Sequence, residues 1–371
     1  MKSLLVTGGA GFIGANFLRH WRGHHPDDEI VVLDALTYAG NRANLEGLAG
    51  VRFVHGDIRD QPLVETLLDE HRVDTIVHFA AESHVDRSIH DPDAFIDANV
   101  VGTHTLLKAA RKAWLEPGSG RPHRFHHVST DEVYGSLAPA DPAFHELTPY
   151  APNSPYAASK AASDHFVRAY HRTYGLETTI SNCSNNFGPY QHPEKLIPFF
   201  LINALHGRPL PVYGDGQNVR DWLDVADHCR AIELILEKGR PGQCYNVGGG
   251  SELPNLDLID RLCAAVDAAF AGDPSLADCF ASAPAAKGAP STSLLEHVPD
   301  RLGHDRRYAI DDRKIRAELG YAPSGDFAAS LASTLAWYLG NEGWWRPMIG
   351  ASYQTWLATN YGGEPKAALT A

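Results

Sequence analysis

The run KSLLVT (residues 2–7) passes directly into GGAGFIG, which spaces Gly8, Gly11 and Gly14 as G-x-x-G-x-x-G, and then into the amphipathic stretch Ala15 to Trp21. Few stretches restrict a fold more. A buried strand that turns on glycines into a helix aims backbone amides and a helix N-terminus at one spot, which suits a pyrophosphate. Glycine triplets also make ordinary turns, so the context decides. A second apolar strand, EIVVLD, ends in Asp34, 20 residues beyond Gly14. A carboxylate there accepts from the adenosine ribose hydroxyls and repels a 2′-phosphate, so the expected cofactor is NAD and not NADP.

The pattern continues. VRFVHGDI reads as a third strand ending at Asp57 and Ile58, where a carboxylate can meet the adenine amino group. DTIVHFAAESHVD is a fourth, and the small residues Ala80 and Ala81 at its end let a cofactor lie against backbone. A helix from Asn99 to Trp114, the strand RFHHVST, a helix running to about Tyr174 and the strand ETTISNCSN follow. Strands alternating with helices imply parallel βαβ units with right-handed crossovers, hence a doubly wound α/β sheet of Rossmann type.

From Asn185 the chain turns Pro/Gly-rich and aromatic (NNFGPYQHPEKLIP), then gives a helix from about Ile197 to His206, a short strand and turn in LPVYGDGQNVRDWLDV, a helix Asp224 to Glu237, and the strand QCYNVGG. We therefore expect residues 1–184, with a returning segment at about 212–240, to form the dinucleotide-binding domain. Residues 185–211 and 241–371, interleaved with it, are expected to form a smaller α/β substrate-binding domain. Residues 268–298, rich in Ala, Pro, Gly and Ser with little periodicity, read as a mobile surface excursion. A short helix and an apolar-aromatic helix around Ala328 to Tyr338 close the pattern.

Composition serves mainly to exclude. A net charge of −13 with no Lys/Arg-rich face disfavours nucleic acid or anionic membrane as a partner. No apolar run reaches the length of a membrane span, and the first strand begins without a basic n-region, so no signal peptide is expected. Five cysteines without C-x-x-C spacing fit a reducing cytoplasm. Twenty histidines invite a metal. His126 and His127, however, are neighbours on a strand and face opposite ways, so they do not chelate together, and no metal is expected.

The chemistry concentrates between Arg124 and Lys160. Ser154 followed by Pro155 marks a helix start, so Tyr156 and Lys160 share a face in its first turns. A free phenol with a pKa near ~10 is a poor base at neutral pH. An ammonium four residues on, with a positive nicotinamide ring, favours the phenolate, which can take a hydroxyl proton while hydride leaves the same carbon. Asp131 and Glu132 go beyond what such an oxidation needs. Once carbon 4 of a sugar is a ketone, the proton on carbon 5 is acidic, and a protonated carbon 6 hydroxyl leaves as water. Glu132 can take the first proton and Asp131 donate the second. Equally, DEVYG can be a turn that these carboxylates merely cap. Consecutive strand residues face opposite ways, so both reach one substrate only if the strand has ended by Thr130.

TGGAGFIG, LTYAGN, AAESHVDRSI, STDEVYG, SPYAASKAASDH, NCSNNFGPY, PEKLIP, VRDWL, GHDRRYAID and WYLGNEGWW together span nearly the whole chain. On these motifs the sequence resembles the extended short-chain dehydrogenase/reductases, and within them the branch that dehydrates nucleotide sugars. The resemblance implies oxidation at carbon 4 of dTDP-glucose by NAD, loss of water across carbons 5 and 6, and hydride return to carbon 6. By the same resemblance Thr130 hydrogen-bonds the 4-hydroxyl, Asp131 is the acid, Glu132 the base, Tyr156 the oxidising base and Lys160 its partner on the nicotinamide ribose. Gly8, Gly11, Phe12, Ile13, Gly14, Asp34, Thr37, Asp57, Ile58, Phe79, Ala80, Ala81, Ser83, Asn99 and Asn186 are expected around the cofactor. Ser83, Asn185, Lys195, Leu196, Pro211, Tyr213, Arg220, Asn255, Asp300, Arg301 and His304 are expected to hold the nucleotide-sugar. Arg220 suits a diphosphate because its fork is bidentate; Tyr213 either stacks on the base or fills core. Ala35, Ala98, Leu302 and the long 268–298 segment depart from the family pattern. The resemblance further implies a homodimer built on helices 99–114 and 156–174. Two other functions are weighed: a nucleotide-sugar 4-epimerase or a dehydratase for a different nucleotide-hexose, and a catalytically silent NAD-binding regulator.

Overall fold

A computed structural model of the protein describes residues 1–116, 121–300, 303–350 and 353. Seven strands form its central sheet: β1 (Ser3–Thr7), β2 (Glu29–Asp34), β3 (Val51–His55), β4 (Thr75–His78), β5 (Arg124–Thr130), β6 (Thr178–Cys183) and, later in the chain, Cys244–Val247. All pair in parallel, in the order Cys244–Val247, β6, β5, β4, β1, β2, β3. The order runs outward from β1 in both directions, so the C-terminal ends of β1 and β4 flank the point where the winding reverses. In such sheets that crevice takes the ligand.

The strands are parallel because helices separate them, and their apolar runs are long because helices cover both faces. On one face Leu4, Val6, Val32 and Val77 pack on Phe17, Leu18 and Trp21 of helix Phe12–His24 and on Cys229, Ile232 and Leu236 of helix Val225–Lys238. On the other, Leu5, Val31, Leu33, Ile76 and Phe125 meet Val64, Leu106, Ala110 and Val167. Helix Pro155–Tyr174 starts as the Ser-Pro pair dictates: Ser154 Oγ accepts from the amide of Ala157 at 3.1 Å, and Gly175 ends it in the left-handed region.

The remaining strands are β7 (Asn185–Phe187), β8 (Leu210–Tyr213), β9 (Val219–Asp224), the Cys244–Val247 strand already placed (β10), β11 (Glu252–Pro254) and β12 (Leu295–Val298). They build a three-stranded sheet, β11-β9-β7, and a two-stranded one, β12-β8. A second core of Phe199, Leu201, Leu258, Leu262, Phe280, Leu331 and Tyr338 lies beneath them. β10 thus extends the returning segment past residue 240.

Three expectations are corrected. The third strand stops at His55, because Gly56 turns to donate to the Asp34 carbonyl at 3.1 Å, leaving Asp57 and Ile58 in the loop beyond. The helix expected from Asn99 is wound as a π-helix over Ile96–Gly102 and becomes α-helical only at Thr103–Leu115. The 268–298 segment is no surface excursion. Helix Asn255–Gly272 enters it, Phe280 and Ala283 are buried in the second core, and β12 pairs with β8 from Leu295↔Leu210 to Val298↔Tyr213. Its low periodicity reflects short turns that each bury one or two residues, not solvation.

Candidate active site

A cleft of about 560 Å³ opens over the C-terminal ends of β1, β4 and β5. Its floor is the glycine turn. Gly8 has φ +70, and a Cβ there would lie 2.5 Å from the Ala80 amide nitrogen; one on Gly14 would collide with the Gly8 carbonyl. The close approach of turn and β4 end is therefore open only to glycine. Asp34 borders the same floor, its carboxylate accepting from the amides of Ala10 and Leu36, each at 2.9 Å. Burial nevertheless leaves that carboxyl above its ordinary range, since desolvation outweighs the two bonds. A dinucleotide fits this cradle: a backbone bed without side chains, a helix N-terminus at Gly11–Phe12, and a carboxylate at the ribose position.

At the other end β5 stops at Thr130, whose hydroxyl accepts from the Glu132 amide at 3.2 Å and caps a single turn, Asp131–Tyr134. The expected turn exists, but its cap is Thr130 and not the carboxylates; Asp131 and Glu132 both line the cleft with Thr130, Tyr156 and Lys160. Asp131 is buried, with one carboxyl oxygen lacking a partner. Desolvation, then the neighbouring charges of Glu132 and Asp221, hold its carboxyl far above the usual range, against a smaller opposing pull from Arg220. Its environment favours the protonated form.

Tyr156 and Lys160 behave differently from expectation in the protein alone. Burial, followed by the nearby Glu132 carboxylate, pushes the phenol well above its ordinary value instead of favouring phenolate. Lys160 does not act on the phenol here. Its ammonium donates to the Val128 carbonyl at 2.8 Å and lies 3.5 Å from His127 Nε2, which is 3.3 Å from Asp164. Burial pushes its pKa down to about 8.

Most expected cofactor residues line this cleft: Gly8, Gly11, Phe12, Ile13, Gly14, Asp34, Thr37, Asp57, Ile58, Phe79, Ala80, Ala81, Ser83 and Asn186. Asp57 is bound to Arg59 at 2.7 Å, and those bonds keep its carboxyl low despite partial burial. Asn99 does not line it. From the π-turn it bolts the Glu82 backbone at both ends, Oδ1 to the amide and Nδ2 to the carbonyl, each at 2.9 Å. Of the expected sugar-nucleotide residues, Ser83, Thr130, Asn185 and Lys195 line the cleft. Lys195 donates to the Ser83 carbonyl at 3.0 Å, and Asn185 Oδ1 is buried without a partner.

Leu196, Pro211, Tyr213, Arg220, Asn255, Asp300 and His304 lie outside that lining. Five gather elsewhere in the smaller lobe. The rings of Tyr213 and His304 are 6.0 Å apart, and His304 is hydrogen-bonded to Asp300 at 2.7 Å. Arg220 stacks on Tyr308 and donates to the Asp305 carbonyl at 3.0 Å; Asn255 donates its amide to the Asn218 carbonyl. Arg220 is also near enough to Asp131 to act on it electrostatically, which ties this cluster to the cleft. Arg301 falls outside the described residues. Glu82, inside the expected 79–83 segment, lines the cleft too. Residues the sequence reading passed over also line it: Tyr38, with Arg87 over its ring at 4.3 Å, Arg59, Cys183, Ser184 and His192. Tyr38 stands in the motif LTYAGN, so a signal existed.

A glycine-turned parallel sheet whose fifth strand delivers its chemistry beside a Tyr-x-x-x-Lys helix is the design of the extended short-chain dehydrogenase/reductases. Within that class the chain belongs to the family described as GDP-mannose 4,6 dehydratase, whose model matches residues 5–334. It is 53% identical over 361 residues to the dTDP-glucose 4,6-dehydratase of Xanthomonas campestris pv. campestris strain B100, covering 95% of this chain and 98% of that one. With the enzyme of the same name from Salmonella typhimurium it shares 45% over 374 residues, 97% of this chain and 99% of the other. Among solved structures, the dTDP-glucose 4,6-dehydratase of Streptomyces venezuelae with NAD bound superposes with a TM-score of 0.82 at 51% identity, covering 93% and 99% of the two chains. The UDP-glucose 4-epimerase of Thermus thermophilus, in complex with NAD, reaches 0.77 at 29%, covering 91% and 99%.

Proposed function

We propose that this protein is an NAD-dependent dTDP-glucose 4,6-dehydratase, a hydro-lyase that forms dTDP-4-keto-6-deoxyglucose. The observation that carries the reading is the acidic pair at the end of β5 opening into the same cleft as Tyr156 and Lys160. NAD, when bound on the glycine turn, supplies the hydride acceptor for carbon 4 and returns the hydride to carbon 6. Tyr156 takes the 4-hydroxyl proton, with Thr130 orienting that hydroxyl and Lys160 as its partner on the nicotinamide ribose. Glu132 removes the carbon 5 proton. Asp131, whose burial favours the protonated form, gives its proton to the departing carbon 6 hydroxyl. Separate environments let two adjacent carboxyls serve as base and acid.

The smaller lobe, residues 185–211 and 241–371 with β10 returned to the main sheet, holds the nucleotide through Tyr213, Arg220, Asn255, Asp300, Arg301 and His304, while Leu196 and Pro211 shape its wall. The buried, partnerless oxygens of Asn185 and Asn255 support this, since a buried acceptor without a donor is costly unless a ligand supplies one. Two copies pair through the helical segments 99–114 and 156–174, on which Val101, Phe166 and Tyr174 are exposed. Five free thiols, four of them buried, fit a cytoplasmic setting. No helix among the described residues is long and apolar enough to cross a membrane.

Incubation with dTDP-glucose followed by mass spectrometry tests the reading. Dehydration gives a product lighter by one water; an unchanged mass with inverted carbon 4 would make it an epimerase. Asp131→Asn and Glu132→Gln are each expected to slow dehydration by about 10²-fold or more while oxidation at carbon 4 persists. Wild-type rates in both variants would overturn the acid/base assignment.

A further inference from the structure

Helix Phe12–His24 begins at the cofactor turn and ends far from it in the sequence His20-Trp21-Arg22-Gly23-His24-His25. Helix Val225–Lys238 packs along it, and three imidazoles from the end of the first element converge on one carboxylate of the second. His20 Nε2 lies 2.7 Å from Glu233 Oε2, His24 Nδ1 3.0 Å from Oε1 and His25 Nε2 2.8 Å from Oε1. The ligand atoms of His20, His24 and Glu233 all lie within 4.8 Å of one another. The expectation of no metal rests on His126 and His127, whose rings find different partners; this cluster joins side chains 213 positions distant and has no linear signature.

Several features suit a cation better than they suit a simple hydrogen-bond cluster. Three rings from one helix end are held against a single carboxylate. His20 and His24 are an i, i+4 pair, so a helix presents both nitrogens on one face without strain. The rings are pre-set: His25 stacks on Trp21 at 4.1 Å, and His20 meets His24 edge-on at 4.4 Å. The cluster sits at a helix C-terminus, where the backbone dipole favours positive charge. Arg230, one turn before Glu233 on the same helix, is paired with Asp227 at 2.5 Å. His24 is about half exposed, which leaves a path inward.

We propose that His20 Nε2, His24 Nδ1 and the Glu233 carboxylate bind a zinc-like divalent ion that clamps the two helices, with water as the fourth ligand. His25 donates to the second Glu233 oxygen and orients it, as outer partners of metal ligands do. Binding requires the Nδ1–H tautomer of His20 and the Nε2–H tautomer of His24, with no oxidation change. The ion stabilises the fold and takes no part in the sugar chemistry.

The test uses the tag-free, full-length protein with NAD bound, stripped by a chelator and titrated with Zn²⁺ against a chromophoric competitor. The wild type should bind one tight equivalent and melt at a higher temperature with Zn²⁺. His24→Ala, at an exposed position, and Glu233→Gln, which keeps the shape but loses the charge, should each weaken that equivalent by about tenfold or more and abolish the thermal gain. Dehydratase turnover should be unchanged in both. Equal Zn²⁺ affinity in wild type and variants, or no tight equivalent in the wild type, would reduce the cluster to hydrogen bonds and overturn the proposal. Should Glu233→Gln fail to fold, His24→Ala decides alone.

Discussion

Lys160 shows how a single side chain trades stability for chemistry. Its amine is fully enclosed, and burial brings its pKa from the ordinary 10.5 to about 8. Between those two values the unfolded chain binds a proton that the folded chain lacks, so this group's contribution to stability rises with pH across that window. Below about 8 its charge is buried at a cost on the order of 3 kcal/mol. Lys160→Met should therefore melt higher than wild type at pH 7 when both are free of NAD. The gain should shrink as pH climbs towards 10.5, and the variant should be inactive. Differential scanning calorimetry across that range checks it; a lower melting temperature at pH 7 would show that His127, Asp164 and Val128 more than compensate the charge. Asp131 is the acidic counterpart, its carboxyl pushed upward by the same lack of water. In both cases residue type and spacing were legible, whereas the protonation state depended on how much solvent the fold excludes.

At the scale of elements, the 268–298 segment is the instructive one. A stretch of Ala, Pro, Gly and Ser gives no helical or strand period, yet β12 pairs with β8, and Phe280 is 3% exposed against His206. Pairing depends on a partner strand 85 positions earlier, Leu210 for Leu295, which no local window contains. Phe280→Ala should cost about 3–5 kcal/mol in denaturant unfolding, the usual cost of emptying a buried aromatic site. A neutral result would return the segment to solvent. The single turn Asp131–Tyr134 makes the opposite point. Its cap, Thr130, and its two acids are contiguous, so the turn was readable, but the direction both carboxyls take was set by where β5 runs out.

Across the whole molecule, exposed apolar residues mark a face that water should not keep. Phe166 is 38% and Tyr174 47% exposed on helix Pro155–Tyr174, and Val101 is 44% exposed on the π-turn that leads into the neighbouring helix. Burial of such a face in a symmetric pair is the ordinary remedy. Phe166→Glu is expected to shift the protein from dimer to monomer in sedimentation velocity while the melting transition remains cooperative. A dimer that persists unchanged would place the interface elsewhere. The helix that bears Phe166 also carries Tyr156 and Lys160, so weakened pairing should lower turnover as well.

What the sequence alone determined is local: the glycine turn, Asp34 at its fixed interval, the Ser-Pro helix start that aligns Tyr156 with Lys160, and the alternation that makes a doubly wound sheet. Each follows from spacing along the backbone, because hydrogen-bond geometry repeats within a few residues. Only the tertiary structure decided that Asn99 would brace Glu82 from behind, that Arg220 and its neighbours would gather in the second lobe, and that three histidines would meet Glu233. Those outcomes depend on desolvation and on contacts between distant segments, and neither is a property of any short stretch of chain.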